Sequence, residues 1–264
     1  MLTPRSVAVL LFMAISLPAA ARDVALPPAG AQYDSQLGGA YPTPAGSEII
    51  SRDREAAPAA GLYNVCYVNA FQTQPQETAW WIANHPDLLL RQNGNWAEDA
   101  NWPGEILLDT STGAKRTALA TIVSAWITKC ADDGYDAIEA DNLDSYSRSN
   151  GALRIEDNLT FATQLVAHAH ALGLAFGQKN SGELAGRGKA IGFDFAIVES
   201  CQVYDECDEY TEVFGAHVLS IEYTDTDASH FETSCSLPGR QISVIRRDRN
   251  LTIPGKASYF YQTC

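Results

Sequence analysis

The sequence predicts an α/β fold, namely a single (β/α)8 barrel of the TIM type that is stabilised by disulfide bonds. Eight apolar runs recur along the 264 residues, and segments with a helical period separate most of them. Apolar residues are nearly continuous within each run, as in parallel strands that are buried on both faces. A doubly wound open sheet would use the same alternation, but no glycine-rich phosphate loop follows the first strand. A barrel therefore fits both the strand count and a single domain.

The first 21 residues have the pattern of a secretory signal peptide. A positive charge at Arg5 precedes an apolar run from Val7 to Leu17, and small residues follow up to Ala21. The run is about half of the ~20 residues that a membrane span requires, and no later segment is long and apolar enough. We expect a signal peptide over residues 1–21, a linker or extended arm over 22–32 and the barrel domain over 33–264. The mature protein is expected to be secreted and soluble, with no membrane partner.

The predicted strands are short runs of apolar, β-branched and aromatic residues, several of them bounded by glycine or proline. In chain order they cover residues 33–39, 62–69, 105–109, the first half of 135–146, 174–180, 194–199, 217–223 and 241–248.

Four helices are predicted between the strands. The first covers residues 78–85 and is stopped by Pro86, and the second has apolar residues at helical spacing over 119–130, with Gly134 as its left-handed stop. Asp157 is predicted to cap the third, whose apolar face extends to Leu172. A short glycine-rich helix from Glu183 to about Ala190 is the fourth.

Six cysteines in an exported chain are candidates for three disulfides, and six cysteines permit fifteen pairings. The pairs that lie nearest in the proposed strand order are Cys66 with Cys130, Cys201 with Cys207, and Cys235 with Cys264. A zinc site is the alternative, but the sequence has no CxxC or HxxxH spacing and its five histidines are scattered. We expect no metal and no cofactor.

The chain carries 18 basic and 32 acidic residues, a formal charge of -14. Such a surface disfavours nucleic acid and anionic membranes and attracts a cationic ligand. Ordinary solubility charge is the other explanation of this balance. We expect no nucleic-acid partner.

Polar side chains are concentrated at the carboxyl ends of the predicted strands. They are Asp109, Glu139, Asp141, Asn142, Lys179, Asn180, Glu199, Glu222, Tyr223 and Asp248. Within the acidic stretch 135–146, Glu139 and Asp141 share one face of the strand, because alternate side chains of a strand point the same way. In a barrel these strand ends share one rim, where enzymes of this fold keep their chemistry.

Two of these carboxylates have the placement that glycoside hydrolysis needs. Asp141 and Glu199 end the predicted fourth and sixth strands, and neighbouring strands lie ~4.8 Å apart, so their carboxyl groups could approach to between ~5 and ~9 Å. That range spans retaining and inverting glycosidases. A solvated strand end or an ion-pair network is the structural alternative. Lys179 could keep Asp141 ionised or form an ion pair with Glu139.

Three motifs, taken in order, resemble those of glycoside hydrolase family 114. They are Glu139 to Tyr146, Gly177 to Asn180, and Phe193 to Ala196 running into Glu199 to Cys207. The resemblance extends from about Tyr33 to the end of the chain. Ala140 stands where many members have proline, and Ser200 where glutamine is frequent, but neither position supplies a carboxylate. The resemblance implies a secreted endo-α-1,4-polygalactosaminidase with a barrel fold.

The resemblance also implies roles for single residues. Asp141 would be the nucleophile and Glu199 the acid/base of a retaining mechanism. The residues implied in substrate binding are Glu139, Asn142, Asp144, Tyr146, Lys179, Asn180, Glu222 and Tyr223. The implied partner is a cationic galactosamine polymer, whose amine Glu139 and Asp144 would bind, and the protein is expected to be a monomer.

Two alternatives stay open at this point. A barrel of this kind could bind an aminosugar polymer without cutting it, although both carboxylates are present. The enzyme could also hydrolyse another α-linked galactose or fucose glycan.

Overall fold

Eight parallel strands form the barrel in the computed structural model, which describes residues 23–236 and 241–264. The strands in chain order are β1 (Tyr33–Ser35), β2 (Ile49–Asp53), β3 (Tyr63–Asn69), β4 (Arg91–Gln92), β5 (Asn95–Trp96), β6 (Ala137–Asp141), β7 (Ala175–Lys179), β8 (Phe195–Glu199), β9 (Val218–Tyr223), β10 (Ser243–Arg247) and β11 (Tyr261–Thr263).

Helices follow most barrel strands and cover the outside. They are α1 (Thr78–Asn84), α2 (Gly113–Asp133), α3 (Ile155–Ala171), α4 (Ala185–Ile191), α5 (Cys201–Tyr204), α6 (Cys207–Phe214) and α7 (Ala228–Ser236), with 3-10 turns at Pro86–Leu88, Leu143–Arg148 and Gly182–Leu184. Across the described parts of the chain, none of these helices has both the length and the apolar character that crossing a bilayer demands.

The barrel sheet runs in the order β1-β2-β3-β6-β7-β8-β9-β10, with every neighbouring pair parallel and β11 antiparallel to β10. Side chains join the first strand to the last. Arg247 donates to the Asp34 carboxylate and to the Ser35 carbonyl, and the hydroxyl of Tyr261 donates to the Tyr33 carbonyl at 2.9 Å. The predicted TIM-type barrel is confirmed.

One predicted strand is wrong, and one barrel strand is missing from the prediction. Residues 105–109 lie outside the barrel sheet, where Ile106, Leu107 and Leu108 make isolated antiparallel bridges. The barrel strand that the prediction missed is β2, which lies between β1 and β3. It has only two apolar residues in five and therefore lacks the apolar run that identified the other strands. The two errors cancel in the count. Asp141 and Glu199 still end the fourth and sixth strands of the barrel.

The predicted helices are present with small changes at their starts. Gly134 ends α2 in the left-handed conformation, with φ 96°. Asp157 is not the N-cap of α3. Arg154 holds that position, and the Asp157 carboxylate, three residues later, accepts the Arg154 backbone N–H at 3.3 Å. The fourth helix begins at Ala185, after a 3-10 turn, rather than at Glu183.

All three predicted disulfides are present. Cys66–Cys130 joins β3 to α2, Cys201–Cys207 joins α5 to α6, and Cys235–Cys264 joins α7 to the segment after β11. The pairing is the one that the strand order predicts.

The core has two layers, separated by the barrel wall. Side chains such as Ile49, Phe195 and Ile245 fill the barrel interior. Others such as Ile138 and Leu165 pack between the strands and the helices.

The segment before the barrel is an arm. The Ala25 carbonyl accepts the Tyr63 hydroxyl at 2.7 Å, and Nδ1 of His217 lies 2.9 Å from the Pro27 carbonyl oxygen. Residues 23–32 are therefore bound to the barrel by hydrogen bonds. The predicted signal peptide lies outside the described residues.

Candidate active site

A pocket of about 340 Å³ opens at the carboxyl ends of the barrel strands. Seven of the ten predicted site residues line it. They are Asp141, Asn142, Asp144, Lys179, Asn180, Glu199 and Tyr223. Six of these are the last residue of a strand or the residue that follows it, since Asn142 and Asn180 come directly after β6 and β7. The shared rim follows from parallel strands that all end in polar groups.

Asp141 points into the pocket because it alternates with Ile138 and Ala140, which pack against the helices. Both of its carboxylate oxygens accept a hydrogen bond, one from the Tyr67 hydroxyl at 2.7 Å and the other from the Asn142 backbone N–H at 2.8 Å. Asn142 has φ 67°, a left-handed conformation that asparagine tolerates better than most residues. These contacts fix the orientation of the carboxylate.

Glu199 is held by two neighbouring strands. Its carboxylate accepts the Tyr223 hydroxyl and, at 2.9 Å, the Asn180 side-chain N–H, while its own backbone N–H donates to the Asn180 side-chain oxygen Oδ1 at 2.9 Å. Burial alone raises the pKa of Glu199. The Lys179 charge and these hydrogen bonds outweigh that effect, so the pKa of Glu199 lies below its ordinary value. Glu199 is therefore ionised at neutral pH in the free protein.

Lys179 links the site to the barrel interior. Its Nζ lies 2.8 Å from Glu139 and 3.5 Å from Glu199, and only 3% of the side chain is exposed. Burial alone lowers the pKa of Lys179, but the surrounding carboxylates raise it well above the ordinary value. Lys179 is thus a permanent cation. It forms the ion pair with Glu139 that the sequence left open, and its second carboxylate contact is with Glu199.

Three predicted binding residues do not line the pocket. Glu139 is completely buried, where Lys179 and the Ser51 hydroxyl bind its carboxylate, so it does not reach a substrate amine. Tyr146 donates to Glu183 at 2.8 Å, away from the pocket. Glu222 precedes Tyr223 and therefore points to the opposite face of β9, where it accepts the Gln202 backbone N–H at 3.0 Å.

Two further strand-end carboxylates also lie away from the pocket. Asp109 follows the run that lies outside the barrel sheet, and it accepts hydrogen bonds from Ser111 and Lys115. The resulting stabilisation of its charged form lowers the pKa of Asp109 in spite of partial burial, which by itself would raise it. Asp248 accepts the Thr252 backbone N–H at 3.0 Å and holds the turn after β10.

The second wall of the pocket comes from residues outside the ten that the sequence assigned to the site. They are Leu37, Gly38, Asp53, Tyr67, Gln74, Asp99, Asn101, Trp102, Glu105, Arg148, Arg249, Asn250 and Leu251. Tyr67 was within reach of prediction, because it lies two residues before the end of β3 on the same face as Val65 and Asn69. We call the segment between β3 and α2 the excursion, and it contributes Asp99, Asn101, Trp102 and Glu105 to the pocket. No local sequence pattern predicts that these residues lie at the rim.

Glu105 is the pocket carboxyl with a raised pKa. One of its oxygens accepts the Asn69 side-chain amide at 3.0 Å. Burial raises the pKa of Glu105 to about 7, and the negative charges of Asp141 and Asp99 contribute to the rise. Both the protonated and the ionised form of Glu105 are therefore accessible near neutral pH.

Arg148 joins the excursion to the barrel rim. Its guanidinium contacts Asp99 at 2.8 Å, Asp144 at 2.7 Å and the Asn142 side-chain carbonyl at 2.9 Å. Charge-assisted contacts of this kind, made by several N–H groups of one planar cation, fix both partners. The pocket as a whole stays acidic, since six lining carboxylates face three lining cations.

The tryptophans of the excursion differ in their surroundings. Trp102 lines the pocket with half of its surface exposed, as a sugar platform would. Trp96 is half-buried, and the Arg91 guanidinium covers its ring at 3.4 Å from the centroid.

Metal-ligand side chains come close together at one place in the described part of the chain, at Cys201, Cys207 and Glu222. The two sulfurs are bonded to each other and offer no thiolate.

Comparison with known proteins gives a family and a fold for the chain. The model of the glycoside-hydrolase family GH114 matches residues 14–264. The structure of Aspergillus fumigatus Ega3 in complex with galactosamine has a TM-score of 0.72 at 22% identity, covering 92% of this chain and 98% of that chain. The glycoside hydrolase domain of PelA from Pseudomonas aeruginosa has a TM-score of 0.62 at 13% identity, covering 86% and 98%. These two likenesses show the fold. No curated protein matches the chain.

Proposed function

The chain belongs to glycoside hydrolase family 114, and on that basis we propose that it cleaves internal α-1,4-galactosaminidic bonds in galactosamine-containing polysaccharide. The observation that carries the proposal is the pair Asp141 and Glu199, which line one acidic pocket from the fourth and sixth barrel strands. Acetal hydrolysis needs two carboxyl groups on either side of the scissile bond. Asp141 and Glu199 both line the pocket, and each is the last residue of a barrel strand.

The proposed mechanism retains the anomeric configuration. Asp141 attacks the anomeric carbon, the bond from that carbon to the leaving oxygen breaks, and Glu199 gives its proton to that oxygen. Glu199 then takes a proton from water, whose oxygen displaces Asp141 from the anomeric carbon and releases the sugar. The Tyr67 hydroxyl and the Asn142 N–H would hold Asp141 in position for attack.

The charge state of Glu199 adds a condition. A general acid must be protonated when substrate is bound, but the pKa of Glu199 in the free protein lies below its ordinary value, so the protonated form becomes populated only in acidic solution. We expect kcat/KM to rise as pH falls toward that pKa.

The charge of the pocket supports an aminosugar substrate. Galactosamine without an acetyl group carries an ammonium group, and an acidic cavity concentrates and orients such a cation. Asp144 has 37% of its side chain exposed and lines the pocket, so it can pair with an amine in spite of its contact with Arg148. The structural relative Ega3 was solved with galactosamine bound.

The test is mass spectrometry of partly deacetylated α-1,4-linked galactosamine polymer after incubation with wild type, Asp141→Asn and Glu199→Gln. Short oligomers are expected from wild type, with turnover lower by at least about 10²-fold in each variant, since general acid–base groups contribute that much or more. Glu232→Gln, at an exposed carboxylate on α7, is the matched control. Circular dichroism must show that all variants are folded.

Other outcomes would redirect the proposal. Full activity in either pocket variant would remove that residue from the catalytic pair. Wild type that binds the polymer but creates no new reducing ends would be a binding barrel. Cleavage of a different α-linked galactose or fucose glycan in a substrate panel would keep the enzyme and change its substrate.

We also propose that the protein is exported. Three disulfides suit an oxidising compartment, and a polymer outside the cell requires an enzyme there. Amino-terminal sequencing of the protein from the culture medium of a producing cell is expected to begin at Arg22. A protein that stays inside the cell with Met1 intact would contradict this.

A further inference from the structure

A second cavity, of about 530 Å³, lies beside the β4–β5 hairpin. We propose that it binds N-acetylated, uncharged units of the same polysaccharide, while the acidic pocket takes the charged units. We call it the hairpin groove, and its lining residues are Gln92, Asn93, Asn95, Trp96, Ala97, Glu98, Asp99, Ala100, Asn101, Arg148 and Asn150. The proposal rests on the proposed function, because it assigns substrate units to a region next to the same site.

The hairpin groove continues directly from the pocket. Asp99, Asn101 and Arg148 line both cavities. A polysaccharide that enters the pocket and extends past Arg148 therefore passes into the groove. An enzyme that cuts inside a chain needs such a path on at least one side of the scissile bond.

The chemistry of the groove differs from that of the pocket. Five of its lining side chains are amides, namely Gln92, Asn93, Asn95, Asn101 and Asn150. The charge of Asp99 is compensated there, since the carboxylate is 2% exposed and contacts Arg148. Among the described residues, Glu98 is the one lining carboxylate of the groove that forms no ion pair.

Amide side chains match an acetamido group better than an ammonium group. An amide offers an N–H donor and a carbonyl acceptor, and an acetamido group offers the complementary pair. An ammonium group only donates, so the amide N–H groups facing it would lose their partners in water and gain none. A row of amides therefore favours the neutral sugar.

Part of the groove is preformed, and part is free to bind. The Asn150 amide donates to Gln92 at 3.0 Å, and Gln92 donates to the Ser149 carbonyl, so the hairpin is tied to the loop after β6. Within residues 23–236 and 241–264, the side-chain amides of Asn93, Asn95 and Asn101 make no hydrogen bond, and all three residues are exposed. These three are the groups that a sugar would meet.

The test compares wild type with the double variant Asn93→Gly and Asn95→Ala, two residues that line the groove and not the pocket. Glycine is used at position 93 because Asn93 has φ 50°, where alanine would be strained. The substrates are one galactosamine polymer in two forms, fully deacetylated and half re-acetylated. Gln262→Ala, at an exposed amide on β11, is the control.

We expect the double variant to lose about 10-fold in kcat/KM on the half-acetylated polymer, which corresponds to one or two net hydrogen bonds. On the fully deacetylated polymer it should match wild type and the control. An unchanged ratio of the two kcat/KM values would overturn the proposal. So would an equal loss on both polymers.

Binding measured without turnover separates this proposal from the proposed function. Calorimetry with a fully N-acetylated α-1,4-galactosamine oligosaccharide should show affinity for wild type that falls about 10-fold in the double variant. If wild type hydrolyses neither polymer but shows this difference, the proposed hydrolysis fails and the groove stands. If binding is equal in both proteins, the groove assignment is wrong whatever the polymer assay shows.

Discussion

Replacing Lys179 with methionine tests how the barrel interior and the site are coupled. Lys179 is 3% exposed and lies between Glu139, which is completely buried, and Glu199. Its removal leaves the Glu139 carboxylate buried with the Ser51 hydroxyl as its remaining partner. Breaking one side of a buried ion pair costs about 3–5 kcal/mol, because the charge that stays behind is no longer compensated. We expect the free energy of unfolding at pH 7 to fall by that amount.

The double variant Lys179→Met with Glu139→Gln separates the lost ion pair from lost packing. It contains neither buried charge of the pair, so we expect it to recover at least about 2 kcal/mol relative to Lys179→Met alone. The assay is equilibrium unfolding in urea with the disulfides intact, with coincident fluorescence and circular dichroism transitions as the check on two-state behaviour. A cost below about 1 kcal/mol for the single variant, or a double variant no more stable than the single, would refute the reasoning.

The same double variant should change the pH dependence of activity. Lys179 lowers the pKa of Glu199, so its loss raises that pKa. A carboxyl group with a higher pKa stays protonated to higher pH, and the proposed general acid would then work at higher pH. We expect the basic limb of the kcat/KM profile to move upward in pH. A limb that stays in place would show that Glu199 does not supply the proton.

Three further predictions concern other parts of the molecule. Glu105 has a pKa of about 7, so it carries its negative charge at pH 8 more than at pH 6. Glu105→Gln removes that charge from the pocket and should therefore raise KM for the cationic, deacetylated polymer much more at pH 8 than at pH 6. An equal rise at both pH values would contradict the titration of Glu105 in the pocket. Gly177→Ala should lower the free energy of unfolding in urea by about 1–3 kcal/mol, because the added Cβ would come within 2.7 Å of side chains on β8. Gly186→Ala is the control and should cost nothing, because the space around Gly186 is open. Equal effects of the two substitutions would show that the barrel interior can rearrange. Removing the Cys66–Cys130 disulfide by double alanine substitution should lower the free energy of unfolding by about 4 kcal/mol, and removing Cys201–Cys207 should lower it by about 2 kcal/mol. The difference is expected because the closed loops span 64 and 6 residues, and a longer loop loses more entropy on closure. The reverse order would show that loop entropy is not the source of the stabilisation.

The barrel side of the site was predictable because its signal is local. A parallel strand that ends in a polar residue brings that residue to the rim, whatever the rest of the chain does, and this places Asp141, Lys179, Glu199 and Tyr223 together. The disulfides follow from the same strand order. The harder question is which of two adjacent polar residues at a strand end points into the pocket. Glu222 and Tyr223 look alike in sequence, but strand alternation turns only Tyr223 into the pocket.

The other wall could not be predicted, for two physical reasons. The strand β2 carries Ser51 into the barrel interior, where it binds the buried Glu139, so the apolar pattern that reveals a strand is absent. Asp99 and Glu105 reach the pocket through contacts between segments far apart in sequence, such as Arg148 with Asp99. Such contacts leave no periodic trace in either segment.

The excursion between β3 and α2 has a consequence for how this enzyme can diversify. Its segment around residues 86–109 lies outside the hydrogen-bonded barrel sheet, and Arg148 is one of its attachments to the rim. Under the proposed function, we expect sequence changes there to alter which sugar chains fit without moving the strand ends that hold the carboxylates. Polymer preference could then change while the catalytic carboxylates stay in place, and we expect a graft of this segment between family members to exchange one preference for another.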